Sequence, residues 1–160
     1  MFGNNSLIAV IAFALGLILK TLLDFKIAPW CVRLLHRLPV RNVFRDKPIP
    51  LAGTWEQQWQ TSSENFKDET DRHSHPVILQ LGKYCYAEFH AKGVTYGLFG
   101  RIQGHYFCGD WYDKTDPHGY FGTFQLRIID SNTMQGAYLG HSKQDANVKA
   151  GNWSWQKHAT

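Results

Sequence analysis

After Pro50 the chain divides into eight segments in which apolar and polar side chains alternate, near residues 51–61, 76–82, 84–91, 94–103, 105–112, 119–130, 133–142 and 147–157. Such alternation puts one face of a strand into a core and the other into water, so each segment is predicted to be a strand. Gly82-Lys83, Lys92-Gly93, Gly104 and Ser131-Asn132 leave room only for hairpin turns, which makes consecutive strands antiparallel neighbours. A meander of eight strands hides all its edges only by closing, and a closed ring of that size holds packed side chains or one small ligand. An open sheet or a split sandwich would leave flat strands such as Tyr120–Ile129 able to pair with other chains. The expected fold is therefore an all-β soluble domain over 51–160, an eight-stranded up-and-down antiparallel barrel. Composition agrees, because 6 Trp, 7 Tyr, 10 Phe and 14 Gly suit pleated strands and tight turns. The one long link, 61–75 (TSSENFKDETDRHSH), is polar and is expected to be a surface loop or lid that need not be ordered without a ligand.

The segment before the barrel is of another kind. From Leu7 to Leu19 no residue is charged, and the apolar run continues past Lys20 to Leu23 and Phe25. If Lys20 snorkels, that is about the length a bilayer core requires. A cleaved signal peptide would carry positive charge ahead of the apolar stretch, whereas Met1–Ser6 has none. Residues 1–26 are thus expected to be an uncleaved transmembrane helix. Residues 27–50 form a basic connector, in which Ile27–Val40 (IAPWCVRLLHRLPV) suits an interfacial helix with arginines among lipid headgroups. Pro48 and Pro50 end any helix there and mark the domain boundary.

Charge is distributed unevenly. Residues 20–47 hold seven basic side chains against two acidic ones, a net +5, which leaves −1 for the rest of a chain whose total is +4. The basicity is a collar beside a membrane and not a nucleic-acid-binding face, so no DNA or RNA polymer is expected as a partner. Basic flanks stay on the cytoplasmic side, which predicts a single-pass protein of the inner membrane with its barrel in the cytoplasm. Cys31, Cys85 and Cys108 are odd in number and show no CxxC spacing, so they are read as buried reduced thiols.

Leu51-Ala52-Gly53-Thr54-Trp55 opens the meander, and Asn152-Trp153-Ser154-Trp155 closes it. A Gly-x-Trp in that place resembles the opening of lipocalin and avidin-type barrels, in which the Trp closes one end. The whole arrangement of apolar N-terminus, basic Pro-containing connector and Gly-Thr-Trp barrel resembles the two-transmembrane, β-strand-rich (2TM-β) effectors of CBASS-type bacterial anti-phage systems. That resemblance implies a cyclic oligonucleotide ligand, a homo-oligomer and disruption of the membrane. Residues 27–40 would stand as the family's second membrane segment.

No catalytic constellation emerges: the soluble part lacks Gly-x-Ser-x-Gly, His-Glu-x-x-His, a P-loop and a helix-opening Gly-x-Gly-x-x-Gly. No enzyme activity and no cofactor are expected. His73 and His75 have no matching carboxylate or thiol spacing, so no metal site is assigned, and Asp110, Asp113 and Asp116 are read as turn residues. Aromatic and polar side chains alternate in the last three strands, where bases could stack and cations hold phosphates. The candidate ligand-binding residues are Arg101, Tyr120, Arg127, Tyr138, His141, Lys143 and Trp155. Two other readings stay open: a membrane-tethered lipocalin-like carrier for a lipid or small apolar molecule, and a scaffold subunit of a membrane complex.

Overall fold

The structure, a computed structural model, describes residues 3–24, 27–39, 47–61, 66, 68–116, 118–141 and 147–158. Two helices lead in, α1 (Gly3–Asp24) and α2 (Ile27–Leu35). Nine strands come next among the described residues: β1 (Gly53–Trp59), β2 (His73–Ser74), β3 (Val77–Leu81), β4 (Tyr84–Ala91), β5 (Val94–Gln103), β6 (Tyr106–Asp113), β7 (Phe121–Ile128), β8 (Thr133–His141) and β9 (Val148–Lys157). Each strand from β3 to β9 pairs antiparallel with the next, and β1 pairs with β9, so the sheet closes as an eight-stranded barrel.

The ninth strand is a fragment and not an extra stave. β2 and β3 pair with β1 in one running register, Gln57 opposite Ser74 and Thr54 opposite Val77, so they are a single strand interrupted at His75-Pro76. Proline has no N–H to give the ladder, which accounts for the break. This corrects the expected loop over 61–75, whose end is a 3-10 turn (Glu69–Arg72) and then β2. Lys92 Nζ holds that turn to the neighbouring hairpin by pairing with Asp71 at 3.0 Å.

The turns have local chemical causes. Lys92 and Gly93 both have positive φ, +50° and +76°, as the two-residue turn that matches the twist of a hairpin requires. Inside the barrel, alternation is clean: Phe124, Leu126 and Ile128 of β7 are buried, and Phe121, Thr123, Gln125 and Arg127 are exposed.

One end is sealed. Trp55 and Trp155 are essentially unexposed and meet edge to face at 6.4 Å, with Leu51, Ile78, Phe107, Leu126 and Met134 also fully buried. Burying an indole of roughly 200 Å² stabilises by about 5 kcal/mol before entropy is counted. The approach to β1 is tied down by Gln80, which accepts from the N–H of Leu51 at 2.8 Å and of Ala52 at 3.3 Å. Its amide in turn donates to Ile49 O at 3.0 Å and Gly82 O at 2.8 Å. The indole N–H of Trp55 donates to Leu51 O at 2.7 Å, so the Gly-x-Trp tryptophan does close one end.

The helices differ in how much they touch. Val32 of α2 is 2% exposed against the barrel's outer face, where the outward-facing Tyr86 of β4 is 4% exposed. Arg33, expected among lipid headgroups, meets Glu88 at 3.4 Å; Lys114 reaches the same oxygen at 2.8 Å, and Tyr86 OH donates to it at 2.6 Å. In α1 the side chains of residues 8–18 are all exposed, among them Ile8, Val10, Phe13 and Leu15. Among the described residues no helix is long and apolar enough to cross a membrane.

Candidate functional site

The end opposite the Trp55–Trp155 plug is hollow. Trp59 at the end of β1, Phe89 and Ala91 on β4, Tyr96 on β5, Trp111 on β6, Tyr138 and Gly140 on β8 and Trp153 on β9 surround a cavity of about 90 Å³. One water needs on the order of 10–15 Å³ of such space, so the cavity has room for several waters or one flat ring system. Thr61, Phe66, Tyr120, His141 and Lys149 line its mouth.

Its walls form a closed circuit of aromatic contacts. Phe89 stacks on Tyr96 at 5.1 Å, and Tyr96 meets Trp111 at 5.9 Å. Trp111 then meets Tyr138 at 6.2 Å, Tyr138 meets Trp153 at 5.7 Å, and Trp153 returns to Phe89 at 5.8 Å. Four of these five contacts are edge to face and one is stacked, both favoured geometries by which each ring braces the next. Gly140 makes the space for Trp111, since a Cβ there would lie 2.7 Å from the indole Cζ2.

Few polar groups reach this box. Tyr138 OH donates to Gln60 O at 2.9 Å and Trp111 Nε1 to Leu139 O at 3.3 Å. Burial, and after it the charge of Asp113, pushes the Tyr96 phenol up to about 12, and burial raises Tyr138 as well, so both stay protonated and can donate. The indole N–H of Trp153 is buried without an acceptor among the described residues. A ligand here would therefore meet flat π faces, a few neutral donors and one ammonium, Lys149, at the rim.

The seven sequence candidates separate. Tyr138 lines the cavity wall and Tyr120 its mouth. His141 lies on the rim, stacked at 4.8 Å on the outward-facing Phe121. Arg101 and Arg127 are exposed on the outer face, because Leu98, Gly100 and Ile102 on β5 and Leu126 and Ile128 on β7 take the inward positions. Trp155 is 1% exposed within the sealed end and does not reach the cavity. Lys143 lies outside the described residues. The sequence candidates omit Trp59, Phe89, Tyr96, Trp111, Lys149 and Trp153. Strand parity was the signal that could have found them, since each occupies an inward position near the same end of its strand.

Two other expectations concern side chains beyond the cavity. Asp113 is a turn former: its Oδ1 accepts from the N–H of Thr115 and Asp116 at 2.8 and 3.1 Å and from Thr115 Oγ1 at 2.7 Å. Asp110, also expected in a turn, lies instead within β6 between Phe99 and Thr123 on the neighbouring strands. All three cysteines are free, but only Cys85 is buried as expected, whereas Cys31 on α2 and Cys108 on the outer side of β6 are half-exposed.

No protein-family model matches the chain, and no curated protein matches it. Among solved structures, that of EF1p2_mFAP2b bound to DFHBI superposes with a TM-score of 0.53 at 9% identity, covering 68% of this chain and 94% of that one. The likeness is one of fold: an eight-stranded closed antiparallel barrel of lipocalin-like type.

Proposed function

We propose that the protein is a ligand-binding barrel, held at a membrane by its N-terminal helix, whose cavity takes one small, planar, largely apolar molecule. The observation that carries this reading is the aromatic circuit from Phe89 through Trp111 to Trp153 around a void of about 90 Å³. A flat ring system fills such a space and replaces poorly hydrated aromatic surface. The structural neighbour, bound to DFHBI, supports small-molecule binding in a barrel of this shape.

A cyclic dinucleotide, the ligand implied by the resemblance to CBASS effectors, fits the cavity less well. It would bring phosphates that need cations, and Arg101 and Arg127 lie on the outer face. Membrane attachment rests on α1, whose described apolar side chains are exposed, and on the basic residues after it.

The test is a titration of DFHBI into the purified full chain in detergent, monitored by quenching of tryptophan fluorescence, beside mass spectrometry of organic extracts of the same preparation. Saturable quenching, or one co-purifying apolar compound at unit stoichiometry, is expected. Ala91→Phe, which fills the box, should weaken binding by at least about tenfold, and Arg101→Ala should leave it within about twofold. If neither readout finds a ligand while a cyclic dinucleotide binds in a manner dependent on Arg101 and Arg127, the apolar reading is wrong.

A further inference from the structure

The outer face of the barrel carries a cluster that no part of the ligand site uses. β1 lies between β2 on one side and β9 on the other, and the registers place His75 directly across from Glu56 and His158 diagonally from it. One ligand atom from each of Glu56, His75 and His158 lies within 4.8 Å of the others. His73, two residues before His75, meets its ring at 4.9 Å and sits 2.5 Å from Glu56 Oε1; His75 and His158 rings are 5.3 Å apart. Three imidazoles thus converge on one carboxylate across the seam where the barrel closes.

We propose that this cluster is a binding site for a zinc-class divalent ion, with His75, His158 and Glu56 as ligands and His73 orienting the carboxylate. Two imidazoles and one carboxylate are a donor set that zinc accepts in a three-residue site with one position left open. The nitrogen donors favour Zn²⁺, Ni²⁺ or Cu²⁺ and disfavour calcium and magnesium, which take oxygen. The observed spacing is wider than the roughly 3.3 Å between ligand atoms at tetrahedral zinc, so rotation of the exposed histidines must draw them in. Both histidines are exposed, His75 in the break between β2 and β3 and His158 just past the end of β9. His73 near Glu56 is the kind of outer partner that fixes a ligating carboxylate's direction.

The sequence could not show this set. His73 and His75 are two residues apart, but Glu56 lies nearly twenty residues before them and His158 more than eighty after, and only closure of the barrel joins them.

The experiment is calorimetric titration of ZnCl2 into the full chain in detergent, with Co²⁺ as a spectroscopic substitute. One ion per chain is expected, with the visible absorption of a low-coordinate nitrogen–oxygen cobalt site, and excess Ca²⁺ should not displace it. His75→Ala/His158→Ala should weaken Zn²⁺ by more than the roughly 10- to 100-fold that loss of an outer-shell partner costs, and His73→Ala by about that amount. Glu56→Gln keeps the shape and removes the charge, so it separates lost ligation from lost fold. His90→Ala, at a histidine remote from the cluster, should change nothing. No stoichiometric binding, or binding that survives the double variant in a protein with unchanged thermal melt, overturns the proposal.

Discussion

Gln80 offers a quantitative test of how the sealed end is held. It is 9% exposed, and its amide spans four backbone groups of the strap that leads into β1 and of the β3–β4 turn. Gln80→Met keeps the length and removes every polar atom. The bonds to Leu51 N–H and Gly82 O are buried, so their loss leaves a donor and an acceptor without water, at about 1–3 kcal/mol each. The bonds to Ala52 and Ile49 are partly exposed and re-hydrate, adding about 0.5 kcal/mol apiece. Apolar burial of the methionine offsets about 1 kcal/mol, which leaves a net loss of about 2–6 kcal/mol, centred near 4. For a chain of this size that corresponds to a Tm lower by about 10 °C, readable by near-ultraviolet circular dichroism in detergent. The cavity lies at the other end, so the affinity for any ligand that fills it should stay within about twofold at a temperature where the variant is folded. A fall in Tm of under about 3 °C would mean that Leu51 and Trp55 packing alone holds the strap, and would refute the role given to the Gln80 hydrogen bonds.

Glu88 gives a pH signature. Burial raises its carboxyl, but hydrogen bonds from Lys114 and Tyr86 and the nearby Arg33 outweigh this and hold it below the usual carboxylate range. A lowered native value stabilises above the unfolded carboxyl's range and is lost as pH falls through the native one, so the Tm gap between wild type and Glu88→Gln should close from pH 6 to pH 3; a constant gap would contradict the pairing. At Gly93 a side chain would meet nothing within 4 Å, yet φ is +76°, so Gly93→Val should cost roughly 1–2 kcal/mol through backbone strain alone, and Gly93→Asn less, in urea unfolding. Tyr96 should ionise only near pH 12, later than an exposed tyrosine in a 295 nm titration. The native state then binds the proton more tightly than the unfolded one, so stability falls as pH rises from about 10 to 12, and Tyr96→Phe should flatten that fall.

Strand existence was readable because alternation and turn residues are local: Lys92-Gly93 names its own turn, and each of the eight segments coincides with a strand of the ring. Facing was readable too, once each strand is phased by its most apolar positions. Phe124, Leu126 and Ile128 must share the inside of β7, which forces Arg127 out, however suitable arginine is for phosphate. Depth was not readable. Trp153 and Trp155 are alike by parity, but one lines the cavity and the other fills the plug, because β1 pairs with β9 in a register that sets Trp59 beside Trp153 and Gln57 beside Trp155. The docking of α2 was hidden for the same reason, since Arg33 and Glu88 are partners that only the tertiary arrangement introduces.

Both faces of β4 are in use. Phe89 and Ala91 point inward and build the wall of the cavity, while Tyr86 and Glu88 point outward and receive α2 through Val32 and Arg33. Lys114, just past the end of β6 whose Trp111 lines the same cavity, completes the link by reaching Glu88 from the mouth side. A tightly packed strand cannot shift one face without the other, because interiors are too dense to absorb displacement. Phe89 in the cavity wall and Glu88 beneath α2 are consecutive residues of this strand. The cavity wall and the α2 docking surface therefore share one strand, with inward and outward side chains alternating along it.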